Sequence, residues 1–317
     1  MYKRQLVQQE ATTDLSAFLS NTGLALEDLY RNKKDGGWTR LLRSQSLLPQ
    51  SSDPNEDFLL GRVRSMLHIN DPMRAEAYLR IVSPEGASYD AMPELDQVFT
   101  RMLVTSVWAN QPGVAAPKSF EEALGILRSA PAFVSELEQV IRYRLDQARI
   151  APQPIAGPGA GVLFTHADYS TAELTAALRE APLPKLLHLP REGVYHAKEA
   201  GVDLLFVTLV KNESDFSETT RYADYPISRD LFQWESQSTT TLSSKDGQRY
   251  IHHSETGHSI YLCVRNTRQN SIGVAHAFTF LGDVTHVSHK GEKPIRFEWR
   301  LTRPMPAHLY EQGRAVV

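Results

Sequence analysis

The chain has 317 residues, 41% of them hydrophobic and 22% charged, which is the balance of ordinary globular proteins and length enough for two domains. A formal net charge of −3 at pH 7 excludes bulk electrostatic capture of nucleic acid and leaves room only for a local basic face. No run reaches the ~18 apolar residues of a membrane helix, and "MYKRQLVQQE" has no apolar secretory segment, so a cytoplasmic protein with no membrane partner is expected.

Residues 12–150 read as helices. "LSAFLSNTGLALEDLYRN", "GWTRLLRSQSLL", "DFLLGRVRSMLHI", "PMRAEAYLRIV" and "LDQVFTRMLVTSVW" share a helical period and short connections, as in an all-α bundle. In "SFEEALGILRSAPAFVSELEQVIRYRLDQ", Ser119 with Glu122 and Ser135 with Glu138 fit the N-cap and N3 positions of a capping box, which predicts two helix starts. Within the second helix, Val134, Leu137, Val140, Ile141 and Leu145 form one apolar stripe that needs a partner. The Met, Leu and aromatic positions of this region are core, and no cofactor is needed to explain them.

"APQPIAGPGAG", residues 151–161, is nearly all Pro, Gly and Ala and reads as an irregular linker. It divides a helical domain over residues 1–155 from a β-rich domain over residues 162–317. Gly157, Gly159 and Gly161 are not a phosphate loop, since no strand precedes them and no Lys-Ser/Thr pair follows.

Past the linker, Ser170 and Glu173 form another capping box, which opens a helix over residues 170–180. The period then changes. "DLLFVTLV" suits a central strand, and "PIRFEWRL" alternates strictly, with Ile295, Phe297, Trp299 and Leu301 on one face. "RYIHHS", "SIYLCVR", "HAFTFLG" and "DVTHVSH" supply four more strands, and Cys263 in the second of these is a buried structural thiol. The fold class is therefore α+β: an N-terminal α-helical bundle followed by a mainly antiparallel β domain, either a small barrel or a strongly bent sheet. No internal repeat is visible.

"HAKEAGVD" places His196, Lys198 and Asp203 in the H-x-K-x4-D spacing of phospholipase-D-type nucleases. That chemistry takes two such motifs and the chain has one, so the match reads as a coincidence in a surface loop. A zinc site is not expected either. His252 and His253 are neighbours on a predicted strand, and His286 and His289 are three apart, so each pair points to opposite faces. With no P-loop, no G-x-S-x-G and no Rossmann fingerprint, no catalytic residue, metal or cofactor is assigned.

What remains is a polar and aromatic window from Lys211 to Arg265. Tyr222, Asp224, Tyr225, Phe232, Trp234, Gln237, Ser238, Thr239 and Thr240 suit base recognition, because rings stack on a base while amide, hydroxyl and carboxylate groups read its edges. Lys211, Arg249 and Arg265 are the candidate phosphate contacts. The same aromatics could equally be core, and the Thr-rich strands simply good β-formers.

"DLLFVTLVKNESDFSETTRYADYPISRDLFQWESQSTT", "GQRYIHH" and "FTFLGDVTHVSHKGEKPIRFEWRLTRPMP" resemble the C-terminal domain of unknown function of bacterial superfamily-two helicases, which often carry an N-terminal phospholipase-D-type nuclease. "LEDLYRNKKDGGWTRLLR" and "NDPMRAEAYLR" resemble the helical segment joining the helicase core to that domain. Relatives include modification-dependent restriction enzymes of the SauUSI kind. The resemblance implies an SRA- or PUA-like reader of methylated cytosine that flips the base. It makes Tyr222, Asp224 and Tyr225 the base pocket, and Trp234, Gln237, Ser238 and Thr239 its wall or contacts to the opened duplex. The implied partners are double-stranded DNA, methylated DNA included, with helicase and nuclease domains in cis or in trans. The chain departs from the family in having no helicase motifs and no paired nuclease motifs, so neither ATP hydrolysis nor cleavage is assigned to it. Two alternatives stay open: a protein-interaction or regulatory module docking on a helicase, and a lone phospholipase-D-type phosphodiesterase using His196, Lys198 and Asp203.

Overall fold

The computed structural model describes residues 2–111, 114–190, 193–210, 224–270 and 272–314, the side chain of Tyr2 excepted. It divides into two compact units. The first comprises Met1–Arg149, Ala181–His188 and Gln269–Ala275; the second comprises Ile150–Glu180, Leu189–Arg268 and His276–Val317.

The first unit is helical: α1 (Tyr2–Glu10), α2 (Leu15–Thr22), α3 (Leu26–Leu29), α4 (Trp38–Ser44), α5 (Pro54–Val63), α6 (Pro72–Val82), α7 (Glu94–Trp108), α8 (Phe120–Arg128) and α9 (Pro131–Asp146). Short polar side chains start several of these helices by accepting from free first-turn amides. Asp14 accepts from Ala17 N at 2.7 Å, Asp71 from Arg74 N at 2.9 Å and Ser119 from Glu122 N at 3.1 Å. The start predicted at Ser135 instead lies inside α9, which begins at Pro131. A proline at the first helical position has its φ preset, and its missing N–H would have been unpaired anyway.

One buried acid ties this unit together. Glu136 on α9 is 0% exposed and accepts from Trp38 N at 3.1 Å, Thr39 N at 2.8 Å and the Tyr30 hydroxyl at 2.7 Å. A side chain 98 residues along the chain from Trp38 thus caps α4, whose own cap position is Gly37 at φ 125° and offers no side chain. Burial, followed by the Glu136 charge, pushes the Tyr30 phenol well above its usual range.

The second unit carries β1 (Gln153–Pro154), β2 (Phe164–Thr165), β3 (Asp168–Tyr169), α10 (Thr171–Ala177), β4 (Val194–Ala197), β5 (Val202–Thr208), β6 (Tyr225–Pro226), β7 (Leu231–Glu235), α12 (Lys245–Ile251), β8 (Ser259–Arg265), β9 (Phe278–Lys290), β10 (Arg296–Leu301) and α13 (Ala307–Arg314); the short α11 (Leu183–Leu186) belongs to the first unit. Among the described residues eight strands form one sheet, in the order β4-β5-β8-β9-β10-β7-β6, with β3 also on β9. The order ends at β4 and β6, so the sheet is not a closed barrel. Its pairings are mainly antiparallel, as expected, with one exception: β5 and β8 run parallel, and the chain makes the long excursion through β6, β7 and α12 to return in the same direction. The fold is thus mixed α and β.

Several local readings hold and others change. The Ser170–Glu173 capping box forms, with Glu173 N to Ser170 Oγ at 3.2 Å and Ser170 N to Glu173 Oε2 at 2.7 Å, although α10 ends at Ala177. In β10, Phe297, Trp299 and Leu301 are buried while Arg296 and Arg300 are exposed, and Cys263 is buried in β8. "RYIHHS" is not a strand: Ser244 accepts from Gly247 N at 3.1 Å and starts α12, which runs through Ile251. The segment 151–161 is no loose tether either. Gln153 and Pro154 pair with Thr165 and Phe164, three glycines take left-handed turns, and the Tyr261 hydroxyl donates to Pro158 O at 2.8 Å.

"HAFTFLG" and "DVTHVSH" form one continuous strand, β9. Its first part pairs with β8 and β3, its second with β10. Gly282 sits where it passes from one set of neighbours to the other, at φ 79°, and a Cβ there would lie 2.8 Å from Thr165 Oγ1. Among the described residues no helix is long and apolar enough to cross a membrane.

Candidate functional site

Alternation along β7 decides which of the predicted base-reading groups face inward. Phe232 and Trp234 point into the core, with Trp234 only 4% exposed and its ring 5.8 Å from Phe297, 5.4 Å from Tyr250 and 6.4 Å from Trp299. Trp234 is therefore a core residue, not a pocket wall. Beyond β7, Ser236 is also sealed in and its Oγ accepts from Ile295 N at 2.9 Å.

Of the rest of the polar row only Ser238 and Thr239 turn outward; Thr240 is buried and its hydroxyl donates to Gln237 Oε1 at 3.3 Å. Thr240 N donates to Gln237 O at 2.9 Å, closing a turn whose tip, Ser238 and Thr239, is exposed, with Gln237 half-buried at its base. Strand β6 meets β7 at the same end: Tyr225 lies opposite Gln233 and donates to its Oε1 at 3.0 Å, and Asp224 Oδ1 accepts from Glu235 N at 2.9 Å. The structure thus gathers Asp224, Tyr225, Gln237, Ser238 and Thr239 at one corner of the sheet edge.

The cations at that corner are ones the sequence reading missed. Lys290, Arg296 and Glu235 are successive partners across β9, β10 and β7, and Arg296 Nε binds Glu235 Oε1 at 2.6 Å. The β9–β10 connection leans on the polar turn, through Lys293 N to Thr240 O at 3.2 Å and Leu242 N to Glu292 Oε1 at 2.9 Å. Lys290 and Lys293 are both exposed there. They lie some 50 positions from the Gln-Ser-Thr run, and only hairpin pairing brings them near.

The phosphate contacts assigned from sequence face elsewhere. Arg249 binds both oxygens of Asp203, Nε to Oδ2 at 2.6 Å and Nη2 to Oδ1 at 3.2 Å, and pairs with Asp246 at 2.9 Å. Arg265 donates to Thr208 Oγ1 at 3.0 Å and His276 O at 3.3 Å and lies over the Phe278 ring at 4.3 Å; burial pushes its guanidinium down to about 10. Both spend their donors inside the fold. Lys211 and Tyr222 lie outside the described residues.

The single H-x-K-x4-D match is not in a loop. His196 on β4 is the direct cross-strand partner of Asp203 on β5, while Lys198 is exposed in the turn between them. A second imidazole joins them. His258, just before β8, has Nε2 3.0 Å from Asp203 Oδ2, and its ring is 5.5 Å from that of His196. Asp203 is 0% exposed and His196 is open to solvent. Burial, aided by the nearby Arg249 and His258, lowers the His196 pKa against the opposing pull of Asp203, which favours the neutral ring.

The histidine parity argument also fails on β9. The register moves from Glu298–Ser288 to Trp299–His286, so Val287 is an extra residue, and this bulge turns His286 and His289 to one side. Their rings are 5.1 Å apart, with Nδ1 of His289 3.1 Å from Nε2 of His286. His252 and His253 follow α12 and lie on no strand.

No curated protein matches the chain. Residues 166–312, which take in the polar corner and the histidine cluster, match the family model described as Domain of unknown function (DUF3427).

Proposed function

We propose that the second unit is a non-catalytic DNA-binding module that flips and tests a modified cytosine, methylated cytosine for example, for a cytoplasmic helicase and nuclease restriction system acting in cis or in trans. The observation that carries this reading is the corner where Tyr225, Gln237, Ser238 and Thr239 lie beside the exposed Lys290 and Lys293. Neutral hydrogen-bonding groups at an open turn suit a base edge, and lysines on the neighbouring hairpin suit phosphate oxygens. The resemblance of this unit to the C-terminal domain of modification-dependent restriction enzymes supports the same reading, with an SRA- or PUA-like mode of binding as its finer form.

Phosphate contacts set the register, and the flipped base is then tested by stacking on Tyr225 and by its hydrogen-bonding edge. No turnover follows. A pocket for one methyl group discriminates by about 1–3 kcal/mol, or roughly 10- to 200-fold in affinity. Gel shifts with plain, methylated and hydroxymethylated duplexes, run on the wild type and on Tyr225→Ala, test this directly. The expected result is a preference for one modified duplex that Tyr225→Ala abolishes. Equal, featureless binding to all three duplexes by both proteins would remove the reading.

A further inference from the structure

We infer that His196, Asp203 and His258 form a binding site for a divalent transition metal ion of the zinc class at the β4 edge of the sheet. One donor atom from each of the three lies within 4.8 Å of the other two. Each donor comes from a different place in the ladder: His196 from edge strand β4, Asp203 from β5 beside it, and His258 from the residue preceding β8 on the far side of β5. Backbone pairing therefore fixes their separation before any ion arrives, and a bound ion would clip the edge strand to its neighbours.

The donor chemistry selects the class of ion. Two imidazoles and one carboxylate suit zinc and its first-row neighbours better than calcium or magnesium, which take oxygen donors. Three protein ligands with one solvent-facing member leave a position open to water. The ring of His196 makes no hydrogen bond among the described residues, whereas His258 and Asp203 already share one that an ion between them would replace. Arg249 grips both carboxylate oxygens, sharing Oδ2 with His258, as outer partners of metal ligands do when they fix a ligand's orientation.

Calorimetric titration of the full chain with ZnCl2 in a non-chelating buffer, with visible absorption of bound Co2+ as a second reading, tests the site. One equivalent is expected in the wild type. His196→Ala and His258→Ala should each weaken binding more than about tenfold, and His289→Ala, on the separate histidine pair, should leave it intact. His196 is exposed and unbonded, so His196→Ala folds normally by circular dichroism and carries the result even if His258→Ala does not fold. The assignment is overturned by absence of stoichiometric binding in the wild type, by unchanged affinity in His196→Ala, by loss in His289→Ala, or by binding of inorganic phosphate in place of zinc.

Discussion

Arg249 and Asp203 form a two-point ion pair in which the carboxylate is wholly buried and the guanidinium is 18% exposed. The geometry makes Arg249 a supporting residue of the sheet, with its donors committed to Asp203 and Asp246. Arg249→Ala should destabilise the protein by about 3 kcal/mol, because it strands a charge in the interior. Urea unfolding measures the cost. A variant as stable as wild type that nevertheless loses DNA binding would restore Arg249 as a phosphate contact.

If Lys290 and Lys293 hold phosphates, each should contribute to the salt dependence of DNA binding. Lys290→Ala and Lys293→Ala are each expected to reduce the slope of log K against log salt by about 0.9, with little change in preference among modified duplexes. Binding isotherms at several salt concentrations give the slopes. Unaltered slopes in both variants would place the DNA surface elsewhere.

The carboxyl of Asp283, opposite Tyr261 in the β8–β9 ladder, is pushed up to about 6 by burial. Its folded value thus lies above the unfolded one, so the folded state holds the proton more tightly. The stability it confers is complete below about pH 4 and is lost as pH rises through about 6. Partial exposure screens the effect, and Asp283→Asn is expected to gain about 1 kcal/mol over wild type near pH 7.5 and nothing near pH 4. Chemical unfolding at the two pH values decides it. An equal gain at both would mean that the carboxyl is not strained by its surroundings.

Periodicity made the regular elements readable. β5 and β10 follow from their apolar patterns, and the caps at Ser119 and Ser170 follow from spacing alone, because both depend on contacts within a few residues. Readings that required a partner strand did worse. The side to which His286 and His289 point turns on one extra residue, Val287, which no alternation rule can place without the register of β10. Trp234 was legible in principle, since it shares parity with Phe232 across Gln233, and in a five-residue strand beside β10 that parity puts both on the face that packs with Phe297 and Tyr250. His258 escaped notice because it stands 55 residues from Asp203, and only the parallel pairing of β5 with β8 unites them.

The long strand β9 belongs to both parts of the sheet and changes neighbours at Gly282. A single backbone serving two sets of partners is a shared spine. Thr279 and Phe280 at one end of it and Lys290 at the other are joined by continuous strand, so the part of the sheet that holds the polar corner and the part that holds β8 share one backbone.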